Sequence, residues 1–351
     1  LAETIGDDLP MLLREYDIER EETGPCKAWA STPSYQGTHS DGFHAAVRSI
    51  VDQITENAPE EARNKNTVNV FPNLISPADL RHLKEIVADF GLECTLLPDY
   101  SETLDRPALA EYERIPSGGT PMEAIRAMSR AKTSLLLGRA IRPEQNAAAL
   151  IEKKHGVPAQ HIGLPIGIRE TDVFFQALEK AAGAETPMAH QMERGRLVDA
   201  YVDGHKYLFG KRIAIVGEED LVIGLASFVA ETGAVPVVCG TGGRSGKFKD
   251  ALAAVCGYAP EAALDKADHA EIEAQVMEAG IDLILGNSRC YPMASRLGLP
   301  LLRVGIPVHD RMGAQRILHV GYRGAQTLFD AMVNTFIALE QDASDAGYMT
   351  M

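Results

Sequence analysis

Short runs of β-branched and apolar residues alternate along the chain with amphipathic stretches, and this alternation limits the possible folds more than any other feature. Clear examples are residues 67–71, 212–216 and 235–239, each followed by a helical pattern. Strands separated by helices pair in parallel and carry the helices on both faces of the sheet. The sequence therefore predicts an α/β fold with mostly parallel sheets flanked by helices.

The chain has 351 residues, more than the roughly 250–300 at which a single core stops growing. We predict three Rossmann-like lobes, of which the first is incomplete. The predicted division is residues 1–64 for the partial first lobe with an interface loop, 65–185 for the second lobe, 186–210 for a connecting helix, and 211–351 for the third lobe and the C-terminal helix. Because the chain opens on Leu1, we expect it to begin mid-domain.

Local signals predict the elements within these lobes. The first lobe should contain a strand near residues 27–31 and a helix from about residue 43 to 55. In the second lobe, Ser76 should cap a helix over 77–90 that Gly91 ends. A helix over 121–132 and a strand over 133–137 should follow.

Composition excludes several classes of function. The formal charge is -15, and a strongly acidic chain without a basic stripe is unsuited to nucleic acid or to anionic membrane surfaces. No apolar run approaches the roughly 18 residues of a membrane span. The five scattered cysteines form neither a CxxC pair nor a disulfide framework. We expect a cytoplasmic protein whose partners are other proteins.

Two glycine-containing stretches resemble nucleotide loops but lack the required spacing. Residues 240–247, GTGGRSGK, have Thr241 and Phe248 where a Walker A loop needs Gly and Ser or Thr, so we interpret them as a flexible strand-to-helix loop. Residues 217–220, GEED, lack the second and third glycines of a dinucleotide fingerprint. Acidic residues favour the first turn of a helix, so we interpret residues 218–220 as helix caps.

The histidines form no metal signature, since His39 and His44 lie five residues apart across a loop and no HExxH motif occurs. Solvation or a structural hydrogen bond is the expected role of each. From the residues alone, the chain is a multi-lobed α/β protein. A metal-free Rossmann-type protein that binds a small molecule in a cleft between lobes stays open as a hypothesis.

Several strings resemble the β-type subunits of the nitrogenase component-1 superfamily. They are LAETIGDD at 1–8, STPSYQGTHSDGF at 31–43, ERGRLVDA at 193–200, LGNS at 285–288, DRMGAQ at 310–315 and GYRGA at 321–325. The second string resembles the family's TPSxxGxHxxG segment. The resemblance extends over essentially the whole chain.

The resemblance implies an iron–sulfur cluster of the 4Fe-4S or P-cluster type at a subunit interface. It implies Ser34 as an oxygen ligand to that cluster; the alternative is that Ser34 only caps a turn. Cys26 could approach the same site, although a buried free cysteine is the commoner outcome. The other cysteines are expected to be poor ligands.

The resemblance also implies partners. These are a homologous α-like subunit in a heterotetramer, which would hold the iron-molybdenum cofactor or its precursor, and a separate ATP-dependent iron protein that supplies electrons. The string at 310–315 lacks the histidines that usually follow this Asp-Arg pair in catalytic β subunits (the NifK type). We therefore expect the assembly-scaffold subunit for iron-molybdenum cofactor biosynthesis (the NifN type). The alternatives are a catalytic nitrogenase β subunit or a nitrogenase-like reductase such as methylthio-alkane reductase.

Overall fold

The computed structural model describes residues 8–19, 26–33, 35, 37–114 and 116–344. Within them lie twelve α-helices and two parallel sheets. The helices are α1 (Leu9–Glu19), α2 (His39–Ile54), α3 (Pro77–Asp89), α4 (Met122–Arg126), α5 (Ala147–His155), α6 (Gly167–Ala182), α7 (Met188–Leu208), α8 (Glu219–Glu231), α9 (Phe248–Cys256), α10 (His269–Glu278), α11 (Tyr291–Leu297) and α12 (Gly321–Ala343). The strands are β1 (Asn64–Phe71), β2 (Glu93–Leu96), β3 (Ala131–Leu137), β4 (Ala159–Ile162), β5 (Arg212–Val216), β6 (Val235–Gly240), β7 (Ala262–Leu264), β8 (Leu283–Gly286) and β9 (Leu301–Arg303).

The first sheet has the strand order β2-β1-β3-β4, and all its strands run parallel. Helix α3 connects β1 to β2 and begins with a capping box, in which Ser76 accepts from the N–H of Asp79 and Asp79 accepts from the N–H of Ser76. Pro77 fits the first helical turn because no partner is needed there for its missing N–H. The sequence prediction for this helix is confirmed to within one residue.

The second sheet has the order β7-β6-β5-β8-β9, again all parallel. Strand β5 is central and carries only buried side chains after Arg212. From β5 the chain adds strands first on one side, to β7, and then on the other side, to β9, so the switch point lies between β5 and β8. Ligands of open α/β sheets bind beyond the carboxyl ends of the strands at such a switch point. The predicted α/β class with parallel sheets flanked by helices is confirmed.

A continuous cluster of buried apolar side chains joins the two sheets. It extends from Val68 in β1 through Phe174 in α6 and Phe228 in α8 to Phe329 in α12. Helix α6 packs against α8, and α12 packs along α7. The expected connecting helix is present as α7, which links the two sheets in sequence. The division into three lobes with the boundaries given above stays a prediction.

Two predicted elements are wrong. Residues 26–33 contain no strand; instead the side-chain amide of Gln53 accepts from the N–H of Trp29 at 3.1 Å and donates to its carbonyl at 2.7 Å. The side chain of Gln53 thus bonds the backbone N–H and carbonyl of Trp29, which in a strand would bond to a neighbouring strand. The predicted helix over 121–132 ends as α4 at Arg126, a 3-10 turn follows, and β3 begins at Ala131 because its apolar run enters the buried sheet there.

Among the described helices, none combines the length and apolarity that crossing a membrane requires.

Candidate functional site

The segment 31–42, called here the 31–42 loop, is shaped by the residues that start α2. Thr38 and Asp41 form a capping box in which each side chain accepts from the other's backbone N–H. Gly37 has φ +72°, and a Cβ there would lie 2.6 Å from Asp41 Oδ2. A glycine is therefore required at this position of the TPSxxGxH string for two independent reasons.

Asp41 also ties the loop to the segment that follows β3. Its Oδ1 accepts from Arg142 Nη2 at 2.7 Å and from Gln145 Nε2 at 3.1 Å. Burial alone would raise the pKa of Asp41, but hydrogen bonds from Thr38 and Gln145 and the charge of Arg142 lower it below its ordinary value. This carboxylate is a negatively charged anchor at neutral pH.

A second anchor joins the loop to the segment that follows β5. His39 Nε2 lies 2.6 Å from Glu218 Oε1. The hydrogen bond to Glu218 raises the pKa of His39, against an opposing effect of partial burial. The imidazole stays largely exposed, so it is a surface link between α2 and the loop after β5.

Residues 218–220 do not cap α8, and that prediction is wrong. No side chain bonds the first N–H groups of the helix, because each carboxylate is engaged elsewhere. Glu218 binds His39, and Glu219 accepts from Ser245 Oγ at 2.8 Å in the loop between β6 and α9. Residues 240–247 therefore connect a strand to a helix, as predicted from the sequence.

Asp220 bridges the two sheets where their carboxyl ends meet. Its Oδ1 accepts from the N–H groups of Arg139 at 2.5 Å and Ala140 at 2.8 Å, just after β3. Its Oδ2 accepts from Asn73 Nδ2 at 2.7 Å, just after β1. Gly138 lies against the carboxylate so closely that a Cβ would be 2.7 Å from Oδ2. Burial raises the pKa of Asp220 to about 6.

The buried imidazole of His44 lies beside this junction. Burial lowers its pKa to about 4, while a hydrogen bond with Asn73 opposes the shift. Within the described residues, His44 Nε2 has no hydrogen-bond partner. His44 is thus a neutral core histidine, in agreement with the structural role expected for it.

A cavity of about 590 Å³ lies between the 31–42 loop and the segment that holds Arg142 and Gln145. Its lining includes Pro33, Gly37, Thr38, Arg142 and Gln145. Ser34, the expected cluster ligand, lies outside the described residues. Pro33, which precedes it in the sequence, borders the cavity.

The cysteines divide into one exposed and four shielded residues. Cys26 is exposed, so the expected burial of this thiol is wrong. Burial raises the pKa of Cys94 to about 12, of Cys256 to about 11 and of Cys290 to about 11, and it also raises the pKa of Cys239. Thiols that remain protonated are weak metal ligands, which agrees with the expectation for these four.

The described residues do not by themselves fit an iron–sulfur cluster. In the part of the chain that the structure describes, no three His, Cys, Asp or Glu side chains converge to hold a metal. Clusters are held by several thiolates, and only Cys26 is an exposed thiol. No chemical step through a cluster can therefore be built from these side chains.

A model of the nitrogenase component 1 type oxidoreductase family matches residues 1–337. The chain belongs to that family. The nitrogenase molybdenum-iron protein beta chain of Clostridium pasteurianum is 33% identical over 353 residues, which cover 99% of this chain and 76% of the relative. The solved structure "Nitrogenase Cp1 at pH 6.5" superposes with a TM-score of 0.90 at 32% identity, covering 98% of this chain and 75% of that one.

Within the nitrogenase component 1 family, the chain is of the β type. The iron-molybdenum cofactor biosynthesis protein NifN of Nostoc is 30% identical over 342 residues, 97% of this chain and 74% of that protein. Catalytic β chains and the scaffold protein thus resemble this chain to nearly the same degree. The recognition of the family from its strings is confirmed.

The junction at Asp220 was not predicted from the sequence. Its partners lie 147 and about 80 positions away in the chain, so no local pattern links them. One signal was available: Asn73 and Gly138 come within two residues of the ends of strands β1 and β3, and these strands border the switch point of the first sheet.

Proposed function

We propose that this chain is the β-like subunit of a nitrogenase-type iron–sulfur heterotetramer that serves as the scaffold for iron-molybdenum cofactor biosynthesis. The observation that carries the scaffold assignment is the string Asp310-Arg311-Met312-Gly313-Ala314-Gln315, which lacks the histidines of catalytic β subunits. The Nostoc protein NifN is a relative of the scaffold type, at an identity close to that of the catalytic β chains.

The structure shows which contacts hold the start of this string and how exposed the string is. Asp310 accepts from Arg303 Nη2 at 2.7 Å and from the hydroxyl of Ser288, so the Asp is fixed to the ends of β8 and β9. These bonds lower the pKa of Asp310 to about 2. Met312, two residues on, is 96% exposed. The string therefore begins at a fixed carboxylate and continues through an exposed segment into a half-exposed 3-10 turn.

The subunit's own contribution is to hold the 31–42 loop. Asp41 bound to Arg142 fastens it to the segment after β3, and His39 bound to Glu218 fastens it to the segment after β5. A loop restrained in this way keeps its shape when an α-like subunit docks against it. Ser34 as a ligand to an interface cluster stays part of the proposal, with Cys26 as an exposed thiol in the preceding segment.

The cluster would supply one-electron transfer, and the described side chains are assigned no step in it. Electrons are proposed to come from a separate ATP-hydrolysing iron protein. This division of labour is supported by the loop between β6 and α9, which lacks Walker A spacing and whose Ser245 and Lys247 are engaged with Glu219 and the carbonyl of Ile141.

A second candidate function is that of a catalytic nitrogenase or nitrogenase-like reductase β subunit. The identity of 33% to the Clostridium pasteurianum beta chain favours it. Both candidates share the fold, the α-like partner and an interface cluster, and they differ in the type of cluster and in substrate turnover.

The test is anaerobic co-purification with the α-like partner, iron quantification and EPR spectroscopy in reduced and oxidised states. A four-iron cluster signal without substrate reduction is expected for the scaffold. A P-cluster signature with turnover of dinitrogen or an alkyl thioether would overturn the scaffold assignment. A colourless complex without iron would overturn the iron–sulfur proposal and favour a metal-free binding protein.

Ser34→Ala tests the loop directly, with Ser40→Ala at the start of α2 as the matched control. A ligand role for Ser34 requires that the spectrum of the oxidised cluster changes in Ser34→Ala and not in Ser40→Ala. Identical spectra in the two variants would restrict Ser34 to capping a turn.

A further inference from the structure

A cleft lies at the switch point of the second sheet, and Thr38 and His39 of the 31–42 loop form part of its lining. The carboxyl ends of β5 and β8 lead into it at Gly217 and Asn287, and its volume is about 590 Å³. A neighbouring cavity of about 570 Å³ shares Arg289, His269 and Pro307 with it. We call the two together the switch-point cleft. Its position is where open α/β sheets bind their ligands.

Three basic side chains line the cleft without partners. Arg289, His269 and His309 are all exposed. Among the described residues, none of them has an ion pair or a side-chain hydrogen bond. The cleft thus presents one permanent positive charge and two imidazoles that can donate hydrogen bonds.

The carboxylates that line the cleft are engaged by other side chains. Glu218 is bound by His39 at 2.6 Å, and Glu273 by Arg296 Nη2 at 2.5 Å. Among the described residues of the lining, Arg289 is therefore the guanidinium group that no carboxylate binds. In a chain that as a whole carries -15, such a group is a local attraction for a small anion.

The backbone around the cleft contributes room but no net positive potential. Helix α8 starts beside the cleft, and Glu218, Glu219 and Asp220 at its start oppose the partial positive charge of its N-terminal end. The rim on the other side is the connection Thr241–Gly242–Gly243, whose two glycines carry no side chains that would fill the cleft. Recognition of an anion therefore falls to the basic side chains.

We propose that the switch-point cleft binds a small anion with a carboxylate or phosphate group, and that Arg289 is its principal contact. Guanidinium groups bind both kinds of anion through paired hydrogen bonds. The proposal does not depend on whether the heterotetramer is a scaffold or a catalyst. It assigns to the β-type subunit a ligand site of its own.

Isothermal titration calorimetry on the anaerobically purified heterotetramer tests the proposal, with inorganic phosphate and malonate as the two probes. The test variant is Arg289→Gln. The matched control is Arg130→Gln, since Arg130 is also exposed and, among the described residues, its side chain has no partner. We expect one site per β-type subunit, and affinity at least about tenfold lower in Arg289→Gln, as for the loss of one hydrogen bond to a charged group.

Arg289→Lys keeps the charge and should retain part of the affinity. Such partial retention would show that Arg289→Gln loses a contact and does not misfold the surface. Binding of phosphate alone would identify a phosphate-bearing ligand, and binding of malonate alone a carboxylate; either supports the site. The proposal is overturned if the wild type binds neither probe at millimolar concentration. It is equally overturned if Arg289→Gln binds like the wild type, or if Arg130→Gln weakens binding as much.

Discussion

The carboxyl group of Asp220 offers a sharp test of how the two sheets are held together. Its pKa is about 6, against an ordinary value of 3.8. At about 1.4 kcal/mol for each pH unit, this difference corresponds to about 3 kcal/mol. Because the pKa of the folded state is raised, the stabilisation is complete below pH 4 and is lost as the pH rises through 6.

Two substitutions separate the charge from the hydrogen bonds. Asp220→Asn keeps an oxygen for the N–H groups of Arg139 and Ala140 and removes the buried charge. Asp220→Ala removes the acceptor as well and leaves two N–H groups without a partner, at about 1–3 kcal/mol each. The amide of Asp220→Asn would face the Asn73 Nδ2 donor, which offsets part of this difference. Asp220→Ala should therefore open the junction more easily than Asp220→Asn, by about 2–4 kcal/mol.

Amide hydrogen exchange of residues 138–140 measures this opening under native conditions. After correction for the intrinsic rate at each pH, exchange in the wild type should accelerate between pH 4 and 7, and Asp220→Asn should abolish that acceleration. Asp220→Ala should exchange roughly 30- to 700-fold faster than Asp220→Asn, which is the same energy difference as a rate ratio. Strand β6 is the internal control and should be unchanged. Equal exchange in the two variants, or a pH slope that persists in Asp220→Asn, would refute the assigned role.

Three further outcomes are expected at the 31–42 loop. Gly37→Ala should lower the thermal unfolding midpoint more than Gly91→Ala, because both glycines have positive φ but only Gly37 would clash with Asp41; equal losses would contradict the clash. Glu218→Gln should lower the pKa of His39 towards 6.5, followed by NMR titration of the imidazole, since the Glu218 hydrogen bond is the main cause of the raised value; an unmoved pKa would show that another group holds it. Asp41→Ala should cost about 1 kcal/mol through the lost cap and should increase proteolysis of the loop; an unchanged cleavage rate would show that the loop is held without this anchor.

The sequence was informative wherever a local cause determines the structure. Ser76 and Pro77 mark the start of α3, and the apolar runs mark β5 and β6 to within one residue. Helix α6 was omitted from the predictions although Phe174, Phe175 and Leu178 repeat at helical spacing. Strand β4 offered a much weaker signal, because two of its four residues are polar.

The site could be predicted only in part. The glycine and capping residues of the 31–42 loop belong to a string that can be recognised in the sequence. The partners of the acidic residues 218–220 cannot be read from it, because a carboxylate at a helix start normally caps that helix. Here the fold brings His39, Ser245 and the end of β3 within reach, and these contacts replace the local one.

The carboxylate of Asp79 joins residues that are made at very different times. It is fully buried and accepts from the N–H groups of His319 at 2.6 Å and Val320 at 3.0 Å, 240 positions later in the chain. During synthesis, the start of α3 leaves the ribosome long before these donors exist. Until then Asp79 has the N–H of Ser76 as its local donor, and a charge that lacks part of its partners is costly to bury. Packing around Asp79 can therefore be completed only after residues 319 and 320 have been made. A premature stop before residue 319 would leave a defect at the start of α3, although the sequence of that helix is intact.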